Sequence, residues 1–173
     1  MIAKPYQGKP LRDTFPKLQR FLHFRMPLTP VDDFRVWKIF LRHSQLSPRE
    51  GWQVVNWGKP PYLEVKELPK NVYGMFQPKN PDSIAIATCV AEKFDADFGD
   101  FSKRQKALFF LRAILLHELV HWGDWRADNV QSDKGRPHDD DAGRRFEEEA
   151  FYKKIYPLTT YHLILKHGCS AFW

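Results

Sequence analysis

The amino-acid sequence predicts an α+β fold in a single domain, residues 1–173, and three observations carry that expectation. The run from Leu108 to Leu116 is apolar nearly all round a helix and contains neither Pro nor Gly, so it reads as a buried helix. Between Trp52 and Ala87 the apolar residues come in short runs separated by Gly58, Pro60-Pro61 and Pro69, which is the pattern of brief strands. The 13 prolines favour many loops over a helical bundle, and 173 residues suffice to bury a core without staples.

Taken in order, Met1 to Pro30 reads as irregular or partly helical, anchored by Phe15, Leu18, Phe21, Leu22 and Phe24 and interrupted by five prolines. Val31 to His43 shows Phe34, Val36, Trp37, Phe40 and Leu41 at helical intervals behind the acids Asp32 and Asp33, so a helix is expected there. Val54-Val55, Tyr62 to Val65 and Val72 to Phe76 are expected as short strands, a turn spans Gln77 to Asp82, and Ser83 to Ala87 is a further strand. A helix-compatible stretch, Val90 to Phe94, and an acidic loop, Asp95 to Asp100, lead into the long helix, which starts near Ser102 and is expected to stop at Gly123. Asp124 to Ala142 is polar and reads as a surface loop. A last helix is expected from Gly143 through Phe146-Glu147-Glu148-Glu149-Ala150-Phe151-Tyr152 towards Tyr156, and the tail Leu158 to Trp173 is apolar enough to pack on the body.

Charge and cysteine content narrow the function classes. The net charge of +6 arises in the first third, where residues 1–60 carry 11 Lys and Arg against 4 Asp and Glu. This basic segment precedes a core, residues 61–173, in which charges balance, and it could meet an anionic surface or an acidic partner. With only Cys89 and Cys169 a paired-thiolate zinc site is excluded; the two form either a disulfide, in an oxidising compartment, or buried free thiols. No stretch is long and apolar enough to span a membrane, and Met1 to Pro10 lacks the apolar core of a signal peptide.

The chemistry lies in His117-Glu118-Leu119-Val120-His121. Residues i and i+4 share one helix face, so His117 and His121 can offer imidazole nitrogens to the same ion, and Glu118 can act as general base towards water at a zinc. Two histidines and a glutamate are costly to bury without partners, and a metal supplies one. The bland alternative is a core helix whose polar groups bond one another. Catalytic zinc takes three protein ligands. The extended H-E-x-x-H-x-x-G-x-x-H pattern fails, because Asp124 and Ala127 stand where it needs Gly and His. The candidates are therefore Glu147, on the apolar arc of the last helix, then Glu148 at the edge of that arc, then His138 in the loop. Glu149 is expected to pair with Lys153.

The string His117 to Asp124, H-E-L-V-H-W-G-D, followed by Gly143-Arg144-Arg145-Phe146-Glu147, resembles the zincin-type metallopeptidase toxin domains carried by bacterial type VI secretion effectors. The resemblance covers about residues 73–156, including the strand Ser83 to Ala87 and the stretch Val90 to Phe94. It implies a zincin-like core, with a small mixed sheet packed on the motif helix and a downstream helix bearing the third ligand, Glu147. It also implies Zn2+ as cofactor, a protein or peptide substrate, an antibacterial role, a cognate immunity protein and a secretion-system carrier. Export without a signal peptide and delivery to the periplasm of a target bacterium follow from the same resemblance.

For the reaction, the strand Ser83 to Ala87 at a sheet edge is expected to bind an extended substrate by backbone pairing. Tyr152, Tyr156, Tyr161 or His162 is expected to donate to the oxyanion. Two rival readings are a hydrolase of cell-wall peptides or amides on the same zinc, and a non-enzymatic nucleic-acid or partner-binding module using Arg20, Arg25, Arg35, Lys38 and Arg42 with interleaved aromatics. The latter leaves the motif unexplained.

Overall fold

In the computed structural model, residues 1–128 and 141–152 are described, and they form a mixed assembly of helices around a four-stranded sheet. The strands are β1 (Ile2–Ala3), β2 (Tyr62–Lys66), β3 (Gly74–Phe76) and β4 (Ser83–Ala87), in the spatial order β1-β2-β4-β3. β1, β2 and β4 run parallel, and β3 closes the sheet antiparallel to β4, pairing Gly74 with Ile86 and Phe76 with Ile84. The sheet is therefore small and mixed, as the α+β expectation requires. All five residues of β4 are buried, which fits a strand with partners on both sides and a helix on its face. This corrects the expectation of Ser83 to Ala87 as an edge: among the described residues the edge strand on the site's side of the sheet is β3.

The first third is mainly helical. α1 (Leu11–Thr14), α2 (Pro16–Phe24) and α3 (Thr29–Asp32) are short pieces punctuated by prolines. α2 starts with Pro16 at its first turn, where the missing N–H costs nothing, and the neighbouring free amides of Lys17 and Leu18 donate to Asp95 at 3.3 and 2.8 Å. α4 (Phe34–Ser44) begins at Asp33, whose carboxylate accepts from Val36 N at 3.0 Å, and ends at Gln45 in the left-handed conformation, φ 56°. α5 (Pro48–Val55) overturns the strand expected at Val54-Val55. Ser47 and Glu50 form a reciprocal capping box with Pro48 between them, and this start carries the chain helically through both valines, which are buried on its inner face.

α6 (Thr88–Asp97) takes in the first half of the expected acidic loop, where the Asp95 carboxylate accepts from the amides at the start of α2. α7 (Phe101–Asp128) is the central element, 28 residues and so about 42 Å long. Leu111, Ala113, Leu115, Leu116, Leu119 and Val120 are all buried, so this helix is surrounded by the sheet, α4 and α6. It does not stop at Gly123. A Cβ there would lie 2.5 Å from the Ser44 carbonyl oxygen, so this glycine serves a close crossing of α4 over α7 instead of a helix end. α8 (Ala142–Glu147) is capped by Asp141, whose side chain accepts from Arg144 N at 2.7 Å, and continues into a π-helical turn, Glu148–Tyr152. Phe146, Ala150 and Phe151 are buried, matching the expected apolar face. Residues 129–140 and 153–173 lie outside the described set, and with them His138, Lys153, Tyr156, Tyr161, His162, Cys169 and the apolar tail; of Tyr152 only the backbone is described.

Candidate metal centre

The motif lies on the buried stretch of α7, where the i, i+4 spacing turns His117 and His121 to the same side. Their Nε2 atoms are 3.2 Å apart. Asp141, at the cap of α8, faces both: its oxygens lie 3.7 Å from His117 Nε2 and 3.2 Å from His121 Nε2. Among the described residues this trio is the group whose nitrogen and carboxylate atoms all fall within one metal-sized cluster.

Two ligands held 2.0–2.1 Å from one ion at a tetrahedral angle stand about 3.3 Å apart, so the 3.2 Å spacings fit such an ion between them. The donor set, two imidazoles and a carboxylate, is that of a catalytic metal site with an open position. Openness agrees with the exposure: the His117 and Asp141 side chains retain 22% and 32% of their accessible surface.

Glu147 stands on the other side of His117. Its Oε1 is 3.1 Å from His117 Nδ1, approaching obliquely, and its side chain is largely buried at 13% exposure. The helical-wheel expectation that Glu147 turns inward therefore matches the geometry, but it meets the nitrogen that faces away from Asp141. Glu148 points outward and is paired with Arg144 at 3.5 Å. Glu149, expected beside Lys153, contacts His43 at 3.0 Å and also Arg42. Asp141 is the residue that sequence reasoning missed. It closes the run Asp139-Asp140-Asp141, which reads as surface loop, and its one local signal is the capping position in front of Ala142.

Glu118 is buried and lies against β3, where a Cβ on Gly74 would come within 2.8 Å of its Cγ and closer still to its Oε1. Burial raises its pKa above the ordinary carboxylate value, against the lowering influence of His117 and His121. For His117 burial works downward, but the neighbouring Glu147, Glu118 and Asp141 outweigh it and push the imidazole up to about 10. Burial would likewise raise Asp141, yet the hydrogen bond and charge of His121, then His117 and the amide of Arg144, hold it well below the usual carboxylate range. Three carboxylates thus surround two imidazoles in a poorly solvated place, a field that calls for positive charge. Gly143 completes the wall: a Cβ there would fall 2.5 Å from His117 Nε2, so the backbone of α8 can approach the ring only without a side chain.

Fold and site together place a helix-borne His-Glu-x-x-His beside carboxylates of a second helix, with His117, His121 and Asp141 grouped so that they could hold a metal ion. The family model for metallopeptidase toxin 3 matches residues 11–152, and the chain belongs to that family. The match reaches back to residue 11, well ahead of the stretch on which the resemblance rests. No curated protein matches the chain, and no solved structure does. The family supports a peptidase toxin that uses a metal. No helix among the described residues is long and apolar enough to cross a membrane.

Proposed function

We propose that the chain is a zinc-dependent peptidase toxin aimed at bacteria, with His117, His121 and Asp141 as metal ligands and Glu118 as general base. The observation that carries this reading is the convergence of His117 Nε2, His121 Nε2 and the Asp141 carboxylate beside a buried Glu118. When bound, the metal supplies Lewis acidity that polarises a carbonyl and makes water a competent nucleophile at neutral pH. Glu118, whose basicity burial raises, takes a proton from the attacking water at a carboxylate oxygen and hands it to the departing amine. Glu147 acts behind His117, its carboxylate 3.1 Å from Nδ1 attracting that side of the ring so that Nε2 faces Asp141; it is a positioning residue in this reading, in place of the third ligand expected from sequence.

The substrate segment is read as an extended peptide paired along the free edge of β3. Among the described residues β3 has a strand partner only in β4, and Gly74 on it packs against Glu118, so a peptide bound there would pass close to the base. The family's toxin character, together with the likeness to type VI effectors, supports a reading with delivery to the periplasm, a protein carrier and a cognate immunity protein. The test is expression of the chain directed to the periplasm of a bacterium. The proposal expects growth arrest by the wild type and normal growth with Glu118→Ala produced at the same level with its metal retained. Equal toxicity of the two would refute the enzymatic reading. Cell-wall peptides and protein substrates are separated by assaying purified protein on each.

A further inference from the structure

The basic first third divides into two groups once its partners are known. Arg35 donates to the carbonyls of Glu149 and Ala150, Arg42 pairs with Glu149, and Lys38 sits 4.6 Å over the Phe34 ring, so these three are engaged within the molecule. Arg20 and Arg25 are exposed and form no ion pair with any described residue. They line one wall of an open groove between α2 and the first turns of α7, about 500 Å3 in volume. Arg104 supplies the facing cation. It donates to the Phe98 carbonyl at 2.8 Å and lies over the Phe98 and Phe101 rings, again without a carboxylate among the described residues.

The same groove is apolar at its floor and rim. Leu108 and Phe98 form part of its lining, Phe24 on its edge is 60% exposed, and Phe101 beside Arg104 is 82% exposed. Large exposed aromatics next to unpaired arginines are costly on a surface that meets only water, and they are the residue types that dominate protein interfaces. The groove continues into a second hollow of about 250 Å3 that shares Arg25 and Leu108. The acids there are already committed: Asp32 to Arg112 at 3.1 Å, and Asp33 to the start of α4. Among the described residues lining the first groove there is no carboxylate, and of the two in the second hollow Asp32 is offset by Arg112.

We infer that this groove is a docking site for an acidic amphipathic segment of a partner protein, with large apolar side chains seated over Leu108, Phe98 and Phe24 and carboxylates on Arg20, Arg25 and Arg104. Charge complementarity and the continuity of the groove with the second hollow select such a segment, because an apolar stripe flanked by acids matches the apolar and the cationic parts of the lining. Leu108 and His117 are nine residues apart on α7, about 13 Å, so docking here is separate from the metal centre and does not depend on the peptidase reading.

The experiment uses the full chain and a fluorescein-labelled helical peptide with Leu and Phe on one stripe and Glu on its flanks, titrated by fluorescence anisotropy. Saturable binding is expected, weakened about tenfold or more by Arg20→Glu combined with Arg25→Glu and about fivefold by Phe24→Ala, while the charge-matched Lys59→Glu with Lys70→Glu stays near wild type. The same peptide with Lys in place of Glu should not bind, a result that needs no mutant to fold. Absence of saturable binding, equal losses in both charge-matched doubles, or tighter binding of a short duplex DNA or phosphatidylglycerol vesicles through the same arginines would each overturn the inference.

Discussion

Gly123→Ala sets two ordinary effects against each other at the helix that carries the site. In the interior of α7, alanine should be favoured over glycine by about 1 kcal/mol, since it loses less backbone entropy on folding. The added Cβ, however, would stand 2.5 Å from the Ser44 carbonyl oxygen, 2.9 Å from Ser44 Cβ and 3.0 Å from Leu46 Cγ. A backbone carbonyl at the end of α4 cannot swing aside as a side chain can, so α4 and α7 must separate. Overpacking of this kind costs about 1–3 kcal/mol. Separation would also stretch the 2.6 Å bond from Gln45 to the buried Asp124, a charge-assisted bond whose loss costs about 1.5–3 kcal/mol. The clash outweighs the propensity gain, and the net is a loss of about 1–2 kcal/mol, a fall in melting temperature of roughly 2–8 °C for a chain of this size. Thermal unfolding followed by circular dichroism, with a denaturant titration beside it, measures this. A variant more stable than wild type would refute the reasoning, because it would mean that the two helices do not cross at Gly123 in van der Waals contact.

Three further outcomes follow from named contacts. Gly74→Ala should lower both hydrolysis and stability, since its Cβ meets the buried Glu118 carboxylate and, at 2.8 Å, both Glu118 Cγ and Ile114 Cγ2, and overpacking of this kind costs about 1–3 kcal/mol; peptide turnover and unfolding midpoints measured on the same preparation record both losses. Asp95→Ala removes the acceptor for the Lys17 and Leu18 amides at the start of α2 and should cost about 1 kcal/mol in chemical denaturation. Glu149 is held below its ordinary value of 4.5 by the His43 hydrogen bond and by Arg42, so its contribution to stability is present above the unfolded value and fades as pH falls through the lower folded one. Wild type and Glu149→Gln should accordingly differ most near neutrality and converge in acid, as urea midpoints measured from pH 6 down to pH 3 would record.

What could be read from the chain alone was what depends on local spacing. His117 and His121 share a helix face because four residues make one turn, and the apolar run ahead of them marks the helix as buried; neither fact needs the rest of the fold. Glu147 was recognised as inward-facing for the same reason. The approach of Asp141 to the two histidines is not legible, since it depends on where the chain returns in space, and a third consecutive aspartate in a polar stretch carries no trace of that return. Val54-Val55 misled because two β-branched residues outweighed the Ser47-Pro48-Arg49-Glu50 start, a signature that was visible in the sequence. Gly123 was read as a stop because a glycine required by a neighbouring backbone looks the same as one that ends a helix. Strand order is likewise non-local: the apolar character of Ser83 to Ala87 identifies a strand, and only its pairing with β2 and β3 makes it central.

The central claim is that a metal sits between His117, His121 and Asp141 with Glu147 behind the first of them. Elemental analysis of purified wild type, Asp141→Ala and Glu147→Ala tests it most directly. The account predicts one zinc per wild-type chain, little or none in folded Asp141→Ala, and metal retained with affinity weakened about 10- to 100-fold in Glu147→Ala. A folded wild type without stoichiometric metal would contradict the claim, and so would full retention in Asp141→Ala with complete loss in Glu147→Ala, which would move the third ligand to Glu147.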